Sequence, residues 1–403
     1  MPYEKKTLFV IDPGFCDVAG HHLATNAMLY AVCGENAVRC TILASRDLAR
    51  FVNSSPKDIV LLGKNCGLQN ILCCFSEIVY KPQRIGGAGT VRSVKKTGLI
   101  FAEELRRVVE PHVTTDMVLF SHTANASIAY GYSLWLRQLR KAPPRVVVHY
   151  IALADDEAGM EADRFALGEL REHASVTILG GSAPLCRRLE QYTGKATARL
   201  PTPLRVSQTR ECPPPQDAFP VFGVVGEART GKNFEIFPAS IGRYLVAGGT
   251  GKFLIQMHRR DTSLDVVIRT LLTMREKLPS RIDLRLQPLY GEEYYNHLGR
   301  CDVVLLPYPV QTYRTKPTFI IFEAAALGVS AIVRRGTCME DELRLLNNGS
   351  VFMDGGDPGD LTGALHAFAH DLAANRQAAF DAAPKCRAEH NRDKYFAILM
   401  GEA

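Results

Sequence analysis

Three groups of side chains in this 403-residue chain have the types and spacing to do chemistry. The first is Glu323, the acidic residue of an otherwise apolar and small-residue stretch, FIIFEAAALG, from Phe319 to Gly328. An apolar helix keeps a carboxylate only when something offsets its desolvation. The second is Arg229 with Lys232, in a loop between the apolar run Val221–Val225 and a helical pattern from about Asn233. Two cations beside a helix N-terminus, with its dipole and free N–H groups, make an anion site. The third is a set of histidines. His122 and His149 end the runs MVLFSH and RVVVH, while Gly20, His21 and His22 lie where a loop after the first strand opens into a helix. Glycine permits close backbone approach there, and open parallel sheets bind ligands at the carboxyl ends of their strands.

The elements that must position these groups alternate. Strand-like runs are Leu8–Ile11, Thr41–Ala44, Met117–Ser121, Val146–His149 and Val176–Leu179, separated by helical patterns. A proline-dense segment from Leu200 to Pro220 cannot form regular structure and reads as a linker. Alternation restarts with Val221–Val225, Lys252–Gln256, Asp283–Leu286, Val303–Leu306, Ser330–Val333 and Val351–Met353. The pattern predicts an α/β chain of two doubly wound, Rossmann-like domains with a cleft between them. The expected boundaries are 1–204 for the first domain, 205–220 for the linker and 221–374 for the second domain. A helical tail, 375–403, follows.

Composition narrows the class. Hydrophobic residues make up 46% and charged residues 22%, as in a globular protein in water. No apolar run reaches the ~18 residues of a membrane span, and MPYEKKTLFVIDP lacks the apolar core of a signal peptide. A cytoplasmic location is expected. Eleven cysteines without a Cys-x-x-Cys pair read as reduced packing thiols. The net charge of +6 is concentrated between Lys81 and Arg107, which allows peripheral attraction to an anionic membrane or a phosphorylated acceptor. Aromatic interleaving there is poor, which argues against nucleic acid. His366 and His370 are four apart but suggest no third ligand, and no Asp-x-Asp occurs, so no bound metal is expected.

The second half resembles the donor-binding domain of GT-B glycosyltransferases, particularly the retaining enzymes of family 4. Their motif is a strand ending in Pro, then Glu, seven residues, Glu-Ala, one residue, Ala, one residue, Gly. Pro307, Glu323, Ala324, Ala326 and Gly328 fit it, and Thr315 stands where the first Glu belongs. The resemblance implies that Arg229 and Lys232 hold the donor diphosphate and that Glu323 bonds the ribose. Backbone at Lys316, Thr318 and Phe319 would meet the phosphates; Pro317 has no N–H to give. Leu289 and Tyr290 would contact the base. The first domain, 1–204, would be the acceptor side and the second, 221–374, the nucleotide-sugar side, with the tail 375–403 packing back on the first. In the first domain, Gly20 would approach the donor phosphates, His149 the transferred sugar, and His21 and His122 the acceptor side.

The expected activity is transfer of a sugar from a nucleoside-diphosphate sugar to a hydroxyl of a glycan or lipid-linked acceptor, with retention and without a bound metal. Two rivals stand beside it. One is a GT-B protein that binds a nucleotide sugar or glycan without turning it over, which Thr315 keeps open. The other is a P-loop hydrolase, since Gly226, Gly231 and Lys232 nearly spell that motif, although Asn233 replaces its Ser or Thr.

Overall fold

The computed structural model describes residues 6–16, 21–54, 70–79, 89–204, 219–228, 231–259, 262–289 and 291–402. The chain divides into two compact units. One contains Met1–Pro203 and Arg392–Ala403, the other Leu204–Asn391. The linker residues 205–218 lie outside the described residues, as do Lys81 and Arg84 of the basic stretch.

The first unit carries a seven-stranded sheet in the order β3-β2-β1-β4-β5-β6-β7, with every described pairing parallel. The strands are β1 (Thr7–Asp12), β2 (Arg39–Ser45), β3 (Ile71–Phe75), β4 (Met117–Ser121), β5 (Arg145–Tyr150), β6 (Val176–Gly180) and β7 (Ala198–Arg199). The inner strands are nearly continuous apolar runs because helices cover both faces of the sheet. β4 is buried at every position, and β1 and β5 at all but the first. One face packs Phe101, Tyr132 and Trp135, all fully buried. The opposite face packs Leu8, Val10 and Phe120 against Tyr395, Phe396, Leu399 and Met400 of the last helix, Arg392–Met400.

Helices Val91–Val108 and Ala126–Gln138 cross where two glycines meet. A methyl group on Gly131 would lie 2.8 Å from the carbonyl oxygen of Gly98, a contact that only bare backbone tolerates. Of the basic stretch, Lys95 places Nζ 4.9 Å from the Phe165 ring, and Arg106 pairs with Glu103 and Gln138.

Asp163, on the helix Glu157–Leu170, is 6% exposed and accepts the Ala154 N–H at 2.8 Å. Burial pushes its carboxyl up to about 6. A raised carboxyl favours the folded state only while it is protonated. That contribution is whole below the ordinary carboxylate range and is lost as pH rises through about 6. Asp163→Asn keeps an acceptor for Ala154 and removes the buried charge. Denaturant unfolding should show the variant more stable by ~2–3 kcal/mol at pH 8, with no gain at pH 4. Equal differences at the two pH values would refute this.

The second unit carries six strands in the order β10-β9-β8-β11-β12-β13, again with every described pairing parallel. They are β8 (Val221–Ala228), β9 (Lys252–Arg259), β10 (Ile282–Arg285), β11 (Val303–Leu306), β12 (Ser330–Arg334) and β13 (Val351–Met353). The helix Leu372–Glu389 stays in this unit. Its Arg376 is 4% exposed and grips Asp302 with Nε to Oδ1 at 3.0 Å and Nη2 to Oδ2 at 2.9 Å. The helical pattern of the tail breaks at His390 and Asn391, and the chain rejoins the first unit at Arg392. No helix among the described residues is long and apolar enough to cross a membrane.

Candidate functional site

Each sheet has one topological switch point. In the first unit it lies between β1 and β4, in the second between β8 and β11. Successive crossovers leave in opposite directions there, and the strand ends open a crevice. The functional candidates gather at these two places.

In the second unit, β8 runs through Gly226 to Ala228, and the loop after it delivers Lys232. Arg229 lies outside the described residues. Lys232 is buried. Its Nζ donates to the Glu227 carbonyl at 3.1 Å and lies 5.6 Å from the ring centre of Tyr308, just past the end of β11. Gly226 adopts φ 114°, a conformation L side chains avoid. A methyl group there would sit 3.5 Å from Ile320 Cδ1 and 4.0 Å from Lys232 Nζ. Lys232 and the first turn of the helix Phe319–Ala326 therefore converge on one glycine.

That helix begins after Thr318, which is extended and makes no side-chain cap. Thr315 is buried, while Lys316, Thr318 and Phe319 are partly buried. One turn further on, Glu323 is also partly buried and bonded on both oxygens. Tyr294 donates to Oε2 at 2.6 Å and Tyr295 to Oε1 at 3.4 Å. Burial raises the Glu323 carboxyl against these two hydrogen bonds, which lower it. The Tyr294 hydroxyl is held well above its ordinary value, by burial first and by Glu323 second. Each carboxylate oxygen accepts two hydrogen bonds, so Glu323 keeps capacity for further hydroxyl donors.

A side chain that sequence reasoning passed over braces this region. Gln256, fully enclosed on β9, accepts the Gly226 N–H at 2.9 Å and donates to the Gln287 carbonyl at 2.7 Å. One amide thus ties the turn of β8 to the loop after β10, where Leu289 is partly buried. Tyr290 lies outside the described residues. The signal for Gln256 was a lone amide at the end of the apolar run KFLIQ. The signal for Tyr294 and Tyr295 was a tyrosine pair in the first turns of a helix opened by Glu292 and Glu293.

In the first unit, Gly20 lies outside the described residues, and of His21 only its place at the start of the helix His21–Glu35 is described. His22 and His122 both reach Asp12, the last residue of β1, which is wholly buried. His22 Nδ1 is 2.9 Å from Oδ1, and His122 Nε2 is 2.8 Å from Oδ2. Asn26 Nδ2 donates to the same Oδ2 at 2.8 Å. Burial alone would raise the Asp12 carboxyl; the imidazoles of His122 and His22 bring it well below the carboxylate range. His149 is buried beside them, its Nδ1 bonded to the His122 carbonyl at 3.0 Å. Burial and the charge of His122 push its pKa down to about 3, so it is a neutral imidazole at physiological pH. Asp12 and Asn26 were missed in the sequence, although an acidic residue ending a buried strand is the same signal that marked His122 and His149.

No family model matches the chain, and no curated protein matches it in sequence. Solved structures do match it along its length. HepE from Anabaena, in complex with UDP, superposes with a TM-score of 0.65 over 98% of both chains, at 12% identity. Sucrose-phosphate synthase from Thermosynechococcus elongatus gives 0.65 over 99% of this chain and 98% of its own, at 13% identity. A variant of S. aureus TarM, in complex with fondaparinux, α-GlcNAc-glycerol and UDP, gives 0.67 over 98% of this chain and 100% of its own, at 7% identity. At such identities the likeness is one of fold, and the fold is GT-B: two Rossmann-like domains, each built on its own parallel sheet.

Proposed function

We propose that this chain is a glycosyltransferase that uses a nucleoside-diphosphate sugar. The observation that carries the reading is the convergence of Lys232, Gly226 and the first turn of the Glu323 helix at the switch point of the second sheet. A buried ammonium beside a helix N-terminus favours a pyrophosphate, and a glycine lets it come close. Glu323, held by two tyrosines, offers its remaining acceptor sites to ribose hydroxyls. The matched structures of HepE and TarM contain UDP, which makes UDP the first nucleotide to test.

In this reading Lys232, joined by Arg229, stabilises the departing diphosphate without a bound metal there. Backbone amides at Thr318 and Phe319 complete the cradle. Such preorganised donors act most strongly where water is excluded. Departure leaves an oxocarbenium-like carbon, which a hydroxyl of a glycan or lipid-linked acceptor attacks with retention, passing its proton to the departing diphosphate. His149, neutral and buried, is assigned to the sugar side. The acceptor is soluble or reached by peripheral attachment to an anionic surface. For the P-loop rival, Asn233 stands in the place of the magnesium-binding hydroxyl but has φ 59° and donates its side-chain amide to the Gly356 carbonyl at 2.8 Å, which counts against that reading.

The test is calorimetry and turnover with UDP, GDP, ADP and their sugars. One nucleoside diphosphate should bind and its sugar should be consumed. Glu323→Ala should weaken nucleotide affinity by about tenfold, the loss of one or two charge-assisted hydrogen bonds. Binding without turnover would leave a nucleotide-sugar binding protein. Unchanged affinity in Glu323→Ala would remove the ribose contact.

A further inference from the structure

We propose that Asp12, His22 and His122 form a binding site for a zinc-class divalent cation in the first unit. It does not depend on the assignment of sugar transfer. One carboxylate and two imidazoles, each offering one ligand atom, lie within 4.8 Å of one another, and all three residues are buried. Their chain positions place them together for a structural reason. Asp12 ends β1, His122 follows β4, and these two strands flank the switch point; His22 comes from the first turn of the helix after β1.

The donor set selects the metal. Two nitrogens and one oxygen suit zinc and its neighbours, whereas magnesium and calcium take oxygen ligands. Three protein ligands with a fourth position open to an exchangeable oxygen is the arrangement of reactive rather than structural zinc sites. Distances agree. His22 Nδ1 lies 2.9 and 3.1 Å from the two Asp12 oxygens, and His122 Nε2 lies 2.8 Å from Oδ2. Ligands at about 2.0–2.1 Å from a tetrahedral ion stand ~3.3 Å apart, so each imidazole needs to part from the carboxylate by only a few tenths of an ångström, and the ligand atoms of the two imidazoles lie within 4.8 Å of each other. The two imidazole rings are 5.3 Å apart and tilted by 54°, converging on the carboxylate rather than stacking.

A second observation points the same way. Asn26 is fully buried, and while its Nδ2 donates to Asp12, its Oδ1 has no hydrogen-bond partner among the described residues. Buried amide oxygens are rarely left so. A cation and its bound water supply the donor that the described residues do not, or the amide turns its oxygen to the ion as a fourth ligand. The bond from His149 to the His122 carbonyl fixes the backbone from which one ligand projects, as outer-shell partners of metal sites do. Without a cation the same atoms form a hydrogen-bonded carboxylate with no metal affinity, and that is what the experiment separates.

Full-length protein stripped with chelator is titrated with Zn²⁺ and with Co²⁺, by calorimetry and by metal analysis after dialysis. One equivalent should bind at micromolar concentration or tighter, without a thiolate charge-transfer band in the Co²⁺ spectrum. Asp12→Asn and His22→Gln should each weaken binding by more than about tenfold. His22→Gln, on the first turn of its helix, decides the matter if Asp12→Asn does not fold. Failure of the unaltered protein to retain metal overturns the proposal. So does stoichiometric binding that persists in His22→Gln or is abolished by alkylating the cysteines.

Discussion

On the proposed sugar transfer, Lys232→Ala should lower turnover of the donor sugar by about a thousandfold, while the circular dichroism spectrum and the unfolding midpoint should stay close to those of the unaltered protein. Removing one preorganised donor from a developing oxyanion costs 10²–10³ in kcat, and a full charge in a buried place stands at the upper end. The ammonium is held by the Glu227 carbonyl and the Tyr308 ring face. Both fix its position. On that reading the loss should fall on kcat more than on KM, because the leaving diphosphate would gain charge as the glycosidic bond breaks. Lys232→Arg keeps the charge but not the point geometry and recovers only part of the rate. A kcat/KM within threefold of the unaltered enzyme for Lys232→Ala would end the assigned role.

The largest loss of stability is expected from Arg376→Met. The guanidinium and the Asp302 carboxylate are each 4% exposed and joined by two hydrogen bonds. Asp302 Oδ2 also accepts the Val221 N–H at 2.8 Å, and Arg376 donates to the Phe219 carbonyl. The pair thus fastens the helix Leu372–Glu389 to the starts of β8 and β11. Breaking a buried pair from one side leaves an uncompensated charge and costs 3–5 kcal/mol. Replacing both partners with apolar groups leaves no such charge. Urea unfolding should therefore show the double variant, Asp302→Leu with Arg376→Met, more stable than Arg376→Met alone. If the double change costs as much as the two single changes added, the charge is not the cause.

Much of the fold was legible because a parallel sheet covered on both faces turns its strands into apolar runs. Val303–Leu306 and Val221–Val225 announced themselves that way, and with them the loop of Lys232 and the helix of Glu323. Strand β3 gave a weaker signal, its adjacent Cys73 and Cys74 reading as opposite faces of a strand: among the described residues it pairs with β2 alone, and it carries two cysteines among its five residues. Strand β7 is two residues long, below any periodicity. The tail read as one helical pattern, and the break at His390 and Asn391 carries neither Gly nor Pro to mark it. Side-chain meetings were the least legible. Asp12 and His122 are 110 residues apart, and only the strand order makes them neighbours. Gln256 bonds one group 30 residues before it and another 31 after it, a brace that no local pattern encodes.

The last helix, Arg392–Met400, supplies four side chains to the core that also contains Leu8 and Phe120. A growing polypeptide emerges from the ribosome in order, and domains generally fold as units as they appear. Here the unit that begins first is the one whose interior is finished last. Its half-built hydrophobic face must wait through the synthesis of Leu204–Asn391 before Tyr395 and Phe396 arrive to seal it.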